Sequence, residues 1–191
     1  FPAVYDMLAI MKGKLDAGRA LLYQTARYVD IYKALDDISR ERKLTPEERQ
    51  EQKKYAKLAD SFTPLAKGMN SEYANQNAYD CIQIHGGSGF MMEYACQRIY
   101  RDARITSIYE GTTQLQTVAA IRYVTNGSYL ATIREFETVP CSPEMEPLMS
   151  RLKKMADQFE ASTNAVKEAQ DQELLDFTAR RLMEMAADII M

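Results

Sequence analysis

The chain has 191 residues, of which 46% are apolar and 27% charged, the balance of an ordinary globular protein with one sizeable domain or one domain and a small second unit. The net charge of −3 argues against nucleic acid or an anionic membrane as the main partner, because both favour a basic face. Three cysteines without CxxC spacing argue against a disulfide scaffold, and the single histidine, His85, cannot build a His-rich metal site, so we predict no metal.

The two ends of the chain both run into helical sequence. The first residue is Phe1 rather than Met, and the apolar stretch 186–191 has no helix stop signal. We therefore expect this chain to be part of a longer protein. It shows no signal peptide and no apolar run long enough for a transmembrane helix, so we predict no membrane span.

The first predicted helix runs from near Val4 to about Ile38. Its apolar residues recur at alternating steps of four and three and form one stripe. The stripe begins with Val4, Leu8, Met11, Leu15 and Leu22. Gly13 and Gly18 weaken the helical propensity, but small residues also permit a second helix to approach closely.

The second predicted helix begins at Thr45 and reaches about Ile82. Thr45 can cap the helix, Pro46 suits its first position, and Glu48 stands where a capping box requires it. An apolar stripe follows through Tyr55, Leu58, Phe62, Leu65, Met69 and Tyr73. Pro64 lies inside this stripe and should kink the helix.

The remaining helices are shorter. Three glycines interrupt the helical pattern over residues 83–90. We predict a short helix over 94–103 and another from Glu110 to about Val124. Asn126-Gly127 should end that helix in a left-handed conformation. We predict an all-α fold: an up-down helical bundle of the four-helix type over 1–135, a proline-rich linker over 136–147, and a truncated C-terminal helical hairpin over 148–191.

Three motifs stand out. They are the turn Gln-x-x-Gly-Gly-x-Gly-Phe from Gln83, the run Arg-x-x-Arg-Asp-Ala-Arg from Arg98, and the sequence Tyr-Glu-Gly-Thr-x-x-x-Gln from Tyr109. Each alone has a plain interpretation: a tight connection between helices, a structural ion-pair network, and a glutamate placed favourably at a helix start. In this order and spacing, the three together resemble the C-terminal domain of the acyl-CoA dehydrogenase family. The tail after about residue 135 resembles a larger subgroup of that family with an extra helical segment.

This resemblance implies an α,β-dehydrogenation of an acyl-CoA thioester. The α-hydrogen leaves as a proton and the β-hydrogen passes as hydride to N5 of FAD. The resemblance assigns the base to Glu110 and directs the backbone N–H of Glu110 to the thioester carbonyl. Tyr109 and Gly111 would line the acyl-CoA site.

The same resemblance implies contacts with FAD. Gln83, Gly86 and Gly87 would lie against the adenosine-diphosphate portion, belonging to a neighbouring subunit, and Thr112 and Gln114 would also face FAD. It further implies an electron-transfer flavoprotein as electron acceptor, a homo-oligomer (dimer or tetramer), and a location in the cytoplasm or, in a eukaryote, the mitochondrial matrix. The family's N-terminal helical domain and middle β-domain are absent from this chain, so we expect the fragment alone to bind FAD poorly and to be inactive.

Two alternatives belong to other functional classes. Some relatives keep the fold and the flavin but protect nucleic acid; the charge of −3 and the intact Tyr109-Glu110-Gly111 sequence speak against that function. The other alternative is a purely structural helical bundle that mediates oligomerisation through apolar faces.

Overall fold

The computed structural model describes all residues from 1 to 191, and it is 85% helical without strands, which confirms the predicted all-α fold. In chain order the helices are α1 (Pro2–Glu41), α2 (Pro46–His85), α3 (Gly87–Phe90), α4 (Ala95–Thr106), α5 (Thr113–Thr125), α6 (Ser128–Phe136), α7 (Glu146–Glu168) and α8 (Gln172–Ile190), with a 3₁₀ turn at Pro143–Met145. The chain consists of two compact units, Phe1–Thr113 and Gln114–Met191. None of the helices combines the length and apolar character that crossing a bilayer requires.

Helices α1 and α2 form a long antiparallel pair, each of 40 residues and about 60 Å in length. Near one end, the Asn77 amide of α2 donates to the Met11 carbonyl of α1 over 3.3 Å. Toward the other end, the Tyr28 ring meets the Phe62 ring edge-on, with centroids 5.2 Å apart. Between them α1 passes so close to α2 that a Cβ on Gly18 would clash with the Asn70 side chain, which confirms a close approach at this glycine.

The start of α2 has the predicted capping box. The Thr45 hydroxyl accepts from the Glu48 N–H at 3.2 Å, while the Thr45 N–H donates to the Glu48 carboxylate at 2.9 Å. The Arg42 guanidinium donates two hydrogen bonds to the same carboxylate. These bonds have the largest effect on the pKa of Glu48, and together with the bond from the Thr45 N–H they lower it to about 2. Because folding lowers the pKa of Glu48, the charged carboxylate stabilises the folded state above the ordinary pKa of a glutamate. This stabilisation is lost as the pH falls toward 2. Pro64 lies within α2 without ending it.

The end of α2 turns sharply into the next helices. Gly86 has a φ of 60° and stops α2 after His85, as the glycine-rich sequence predicts. After the single turn of α3, helix α4 packs back along α2. The Asn75 amide of α2 donates to the carbonyl of Ala103 over 3.1 Å. This bond fixes the last turn of α4, and with it the start of the loop that follows.

The second unit contains the predicted helical hairpin, α7 and α8, which pack on each other and on α6. Gly127, with a φ of 79°, separates α5 from α6 in the predicted left-handed conformation. Arg134 of α6 pairs with Asp157 and Glu160 of α7, each at 2.7 Å. Phe159 of α7 is almost fully buried. The hairpin thus has buried side chains of its own and is joined to α6 by ion pairs.

Candidate functional site

The loop of residues 107–112 joins α4 to α5 and is closed by backbone hydrogen bonds. The Thr113 N–H donates to the Ser107 carbonyl over 3.2 Å, which brings the two ends of the loop together. The Tyr109 N–H donates to the Ile105 carbonyl at the end of α4 over 3.1 Å. The loop is therefore a defined structure rather than an open connection.

Glu110 lies in this loop in a left-handed conformation. Its φ is 50°, and Gly111 follows with a φ of 92°. The sequence placed Glu110 at the start of a helix, and this was wrong: α5 begins only at Thr113. A left-handed backbone costs a residue with a side chain about 1–2 kcal/mol, so surrounding contacts must hold it. Gln170, in the turn between α7 and α8, shares this conformation, so the φ value alone does not identify a site.

Lys67 of α2 contacts the Glu110 loop at its centre. Its ammonium nitrogen donates to the Gly111 carbonyl over 2.5 Å and lies 5.9 Å from the centroid of the Tyr109 ring. A hydrogen bond to a charged group contributes about 1.5–3 kcal/mol, which is comparable to the cost of the left-handed backbone. Sequence reasoning missed Lys67 because it stands 44 positions before Gly111 and belongs to no motif.

A second side chain of α2 holds the end of the same loop. The Thr113 hydroxyl donates to the Glu72 carboxylate over 2.6 Å. Together with the bond between Asn75 and Ala103, this means that α2 fixes the loop before, at and after Glu110. Sequence reasoning missed Glu72 for the same reason as Lys67.

A cleft of about 450 Å³ opens beside the loop, between α1, α2 and the end of α4. Its walls are mainly apolar, and Lys67 and Glu110 are its only charged members. It is lined by Leu22, Thr25, Thr63, Ala66, Lys67, Asn70, Ser71, Ala74, Thr106, Tyr109 and Glu110. Glu110 is exposed and is one of the residues that line this cleft. A carboxylate in that position can take a proton from a carbon acid bound in the cleft.

The other predicted site residues lie in two places. Gly111 and Thr112 are half-buried in the loop, and Gln114 is exposed in the first turn of α5. By contrast, Gln83, Gly86 and Gly87 are exposed at the far end of α2. The α2 residues that line the cleft end at Ala74, about 14 Å along the helix axis from Gln83 at 1.5 Å per residue. The structure therefore brings Tyr109 and Glu110 together at the cleft and leaves the glycine turn apart from it.

A cluster of one imidazole and two thiols lies next to the glycine turn. The sulfur of Cys81 is 3.4 Å from the sulfur of Cys96 and 3.9 Å from Nδ1 of His85. Burial raises the pKa of the Cys81 thiol, and the contact with Cys96 raises it further. The sequence analysis did not find this cluster because it considered only the number of histidines. The one-turn spacing of Cys81 and His85 on a predicted helix is the signal that could have indicated it.

Two family profiles match the chain end to end. "Acyl-CoA dehydrogenase, C-terminal domain" matches residues 1–124, and "Acyl-CoA dehydrogenase C terminal" matches residues 125–191. The two matches meet near the end of α5. The boundary predicted after residue 135 stays a prediction.

Similar proteins carry related names. A butyryl-CoA dehydrogenase of Syntrophomonas wolfei is 31% identical over 98% of this chain and 30% of its own length. The caffeyl-CoA reductase-Etf complex subunit CarC of Acetobacterium woodii is 34% identical over 61% of the chain and 24% of its own length. A 3-methylmercaptopropionyl-CoA dehydrogenase of Ruegeria pomeroyi is 37% identical over 60% of this chain and 18% of its own length. The chain thus spans less than a third of each relative, and it belongs to the acyl-CoA dehydrogenase family.

Proposed function

We propose that the cleft beside Glu110 receives the acyl part of an acyl-CoA thioester and that Glu110 removes the α-proton. The observation that carries this proposal is the carboxylate at an apolar cleft of about 450 Å³, on a loop that Lys67 ties to the cleft wall. The α-proton of a thioester is barely acidic, so its removal requires both a positioned base and a stabilised enolate oxygen. The bond of Lys67 to the loop supports a positioned base.

In this mechanism the α-C–H bond breaks toward the Glu110 carboxylate, which becomes neutral. The electron pair of that bond forms the α,β double bond as the β-hydrogen leaves with its own pair. The backbone N–H of Glu110 donates to the thioester carbonyl and stabilises the developing charge on its oxygen. Tyr109 and Gly111 line the same site. FAD, when bound, supplies the acceptor for the hydride.

The glycine turn suits contact with the diphosphate of FAD. A Cβ placed on Gly86 or Gly87 would meet nothing within 4 Å, so the backbone here is open to a ligand. In the proposed assembly Gln83, Gly86 and Gly87 contact the adenosine-diphosphate portion bound mainly by a neighbouring subunit, while Thr112 and Gln114 face FAD. The distance of the turn from the cleft supports its use by a second subunit rather than by its own cleft.

We further propose a homo-oligomer, dimer or tetramer, in the cytoplasm or mitochondrial matrix, with an electron-transfer flavoprotein as acceptor. The name of the Acetobacterium relative, a subunit of an Etf complex, supports the acceptor. Exposed apolar side chains along α1, among them Tyr5, Leu8 and Leu15, favour burial against another protein surface.

The proposed function is tested with a protein that carries this chain together with the family's upstream domains. Under anaerobic conditions, addition of straight-chain acyl-CoA thioesters of increasing length should bleach the visible absorbance of bound flavin. The isolated chain should bind FAD weakly and show no such reaction, because the remaining flavin contacts are missing. A complete protein that no acyl-CoA bleaches would contradict the reaction, and micromolar FAD affinity of the isolated chain would contradict the dependence on other domains.

Lys67 should position Glu110, and Lys67→Met tests this role. Methionine keeps an unbranched apolar side chain but loses the hydrogen bond to the Gly111 carbonyl, so the loop is held less firmly. We expect kcat of the complete protein to fall about 10–100-fold, the equivalent of a lost charged hydrogen bond, with a smaller change in KM. The exposed Lys57 of the same helix is the control, and Lys57→Met should leave both constants unchanged. Equal kinetics for the two variants would refute the positioning role.

A further inference from the structure

We propose that Cys81, His85 and Cys96 form a binding site for a divalent cation that prefers thiolate ligands, such as Zn²⁺. This site is separate from the proposed dehydrogenation site. The three side chains offer two sulfurs and one ring nitrogen, all within 4.8 Å of one another. Thiolate sulfur and imidazole nitrogen are the ligands that zinc takes most often in proteins.

The distances fit tetrahedral coordination. With a zinc–sulfur bond of about 2.3 Å and a zinc–nitrogen bond of about 2.0–2.1 Å, two sulfurs lie about 3.8 Å apart and a sulfur and a nitrogen about 3.5 Å apart. The observed separations are 3.4 Å between the sulfurs of Cys81 and Cys96 and 3.9 Å between the Cys81 sulfur and Nδ1 of His85. Small side-chain rotations therefore suffice to bring the ligands to one ion.

The fold places the ligands on two packed helices. Cys81 and His85 are one turn apart at the end of α2, where the negative end of the helix dipole favours a cation. Cys96 lies in the first turn of α4, which packs against α2 and so brings the Cys96 sulfur to the end of α2. Cys96 is buried, whereas His85 is exposed, so an ion can reach the site from solvent and keep a water molecule as fourth ligand.

Core packing alone does not explain why Cys81, His85 and Cys96 lie together. A buried cysteine often serves as a small apolar side chain, which accounts for Cys96. It does not account for a second thiol and an imidazole directed at the same point. Nδ1 of His85 now faces the Cys81 carbonyl at 2.8 Å. With the proton on Nε2, a rotation of this exposed ring turns the Nδ1 lone pair toward the two sulfurs, so Nδ1 is the proposed metal ligand.

Such an ion would join the end of α2 to the start of α4 across the glycine turn. Since a structural metal stabilises the state that holds its ligands together, the cation should raise the thermal stability of this turn and of α4. Gly86 and Gly87, which bring the chain around between the ligands, would then be fixed from both sides.

The test uses the reduced 191-residue chain, freed of metal with a chelator and kept in a phosphine reductant, and titrates it with Co²⁺ as a spectroscopic probe. We expect one equivalent to bind, with a sulfur-to-cobalt charge-transfer band in the near ultraviolet and tetrahedral d–d bands in the visible, both removed by Zn²⁺. Absence of the charge-transfer band overturns the proposal. A Cys81–Cys96 disulfide that forms on removing the reductant, from a chain that bound no cobalt, would assign the thiols to redox chemistry instead.

Single substitutions assign the ligands. Cys81→Ser and Cys96→Ser should abolish the charge-transfer band or weaken cobalt affinity at least about 100-fold, since even outer-shell partners of a metal contribute 10–100-fold. His85→Gln alters an exposed side chain, so it keeps the fold while weakening binding, and far-ultraviolet circular dichroism verifies the fold of every variant. Cys141→Ser, at the remaining exposed cysteine, is the control and should bind cobalt unchanged. Loss of the band in Cys141→Ser, or its survival in Cys81→Ser, overturns the site.

Discussion

Replacing Glu110 with glutamine is expected to lower the rate of acyl-CoA oxidation by the complete protein about 10²–10⁴-fold, the usual contribution of a general base. The amide has nearly the shape of the carboxylate but cannot accept the α-proton. Two bonds that hold the loop do not involve the exchanged atom and should persist: Lys67 donates to the Gly111 carbonyl, and the Thr113 hydroxyl donates to Glu72. The measurement is the rate of flavin bleaching after rapid mixing with acyl-CoA, so that proton removal is observed apart from product release.

The control for Glu110→Gln is the same change at Glu51, an exposed residue of α2 far from the loop. Glu51→Gln should bleach at the unaltered rate. In Glu110→Gln, affinity for the acyl-CoA should change little, since the apolar walls of the cleft are intact. An unchanged bleaching rate would show that another group is the base, and a large loss of affinity alone would assign Glu110 to binding instead of proton transfer.

Phe62→Ala is expected to destabilise the Phe1–Thr113 unit by about 3–5 kcal/mol. Phe62 is 1% exposed on α2, and its ring meets the Tyr28 ring of α1 at an interplanar angle of 84°. The change removes the buried ring, leaves a cavity beside Leu65, which is fully buried, and breaks an edge-to-face aromatic pair that adds about 0.5–1.5 kcal/mol. Urea unfolding followed by circular dichroism measures the loss.

Phe177→Ala is the matched control, since the side chain of Phe177 on α8 is 78% exposed. Its truncation should change the free energy of unfolding by no more than about 0.5 kcal/mol. If the two variants unfold at the same urea concentration, the Tyr28–Phe62 contact is not what joins α1 to α2. Because the chain has two compact units, unfolding is followed with near-ultraviolet circular dichroism as well, so that loss of one unit is seen.

Local sequence rules predicted the parts of this fold that local forces determine. The Thr45-Pro46-Glu48 sequence predicted the capping box because a cap involves only residues a few positions apart. Gly127 predicted the break after α5 because a left-handed position favours glycine. Apolar periodicity likewise predicted the long helices, since each must bury one face.

The details of the site depended on contacts between distant residues. The conformation of Glu110 could not be predicted because the loop is held by α2, through a lysine 44 positions away from Gly111. Cys96 likewise meets Cys81 only because α4 packs along α2. The motif around Tyr109 predicts Glu110 as the catalytic residue, which stays a prediction, whereas the surroundings of Glu110 follow only from the packing of the helices.

Because Lys67 bonds the Gly111 carbonyl, the Glu110 loop and the lining of the cleft from α1 can change independently in sequence. The loop that carries Glu110 is hydrogen-bonded to α2, whereas α1 contributes Leu22 and Thr25 to the lining of the cleft. A change of volume at Leu22 is therefore expected to reshape the cleft without breaking the bond between Lys67 and the Gly111 carbonyl. Under the proposed function, substitutions on α1 would alter the space for the substrate while α2 keeps the Glu110 loop in place.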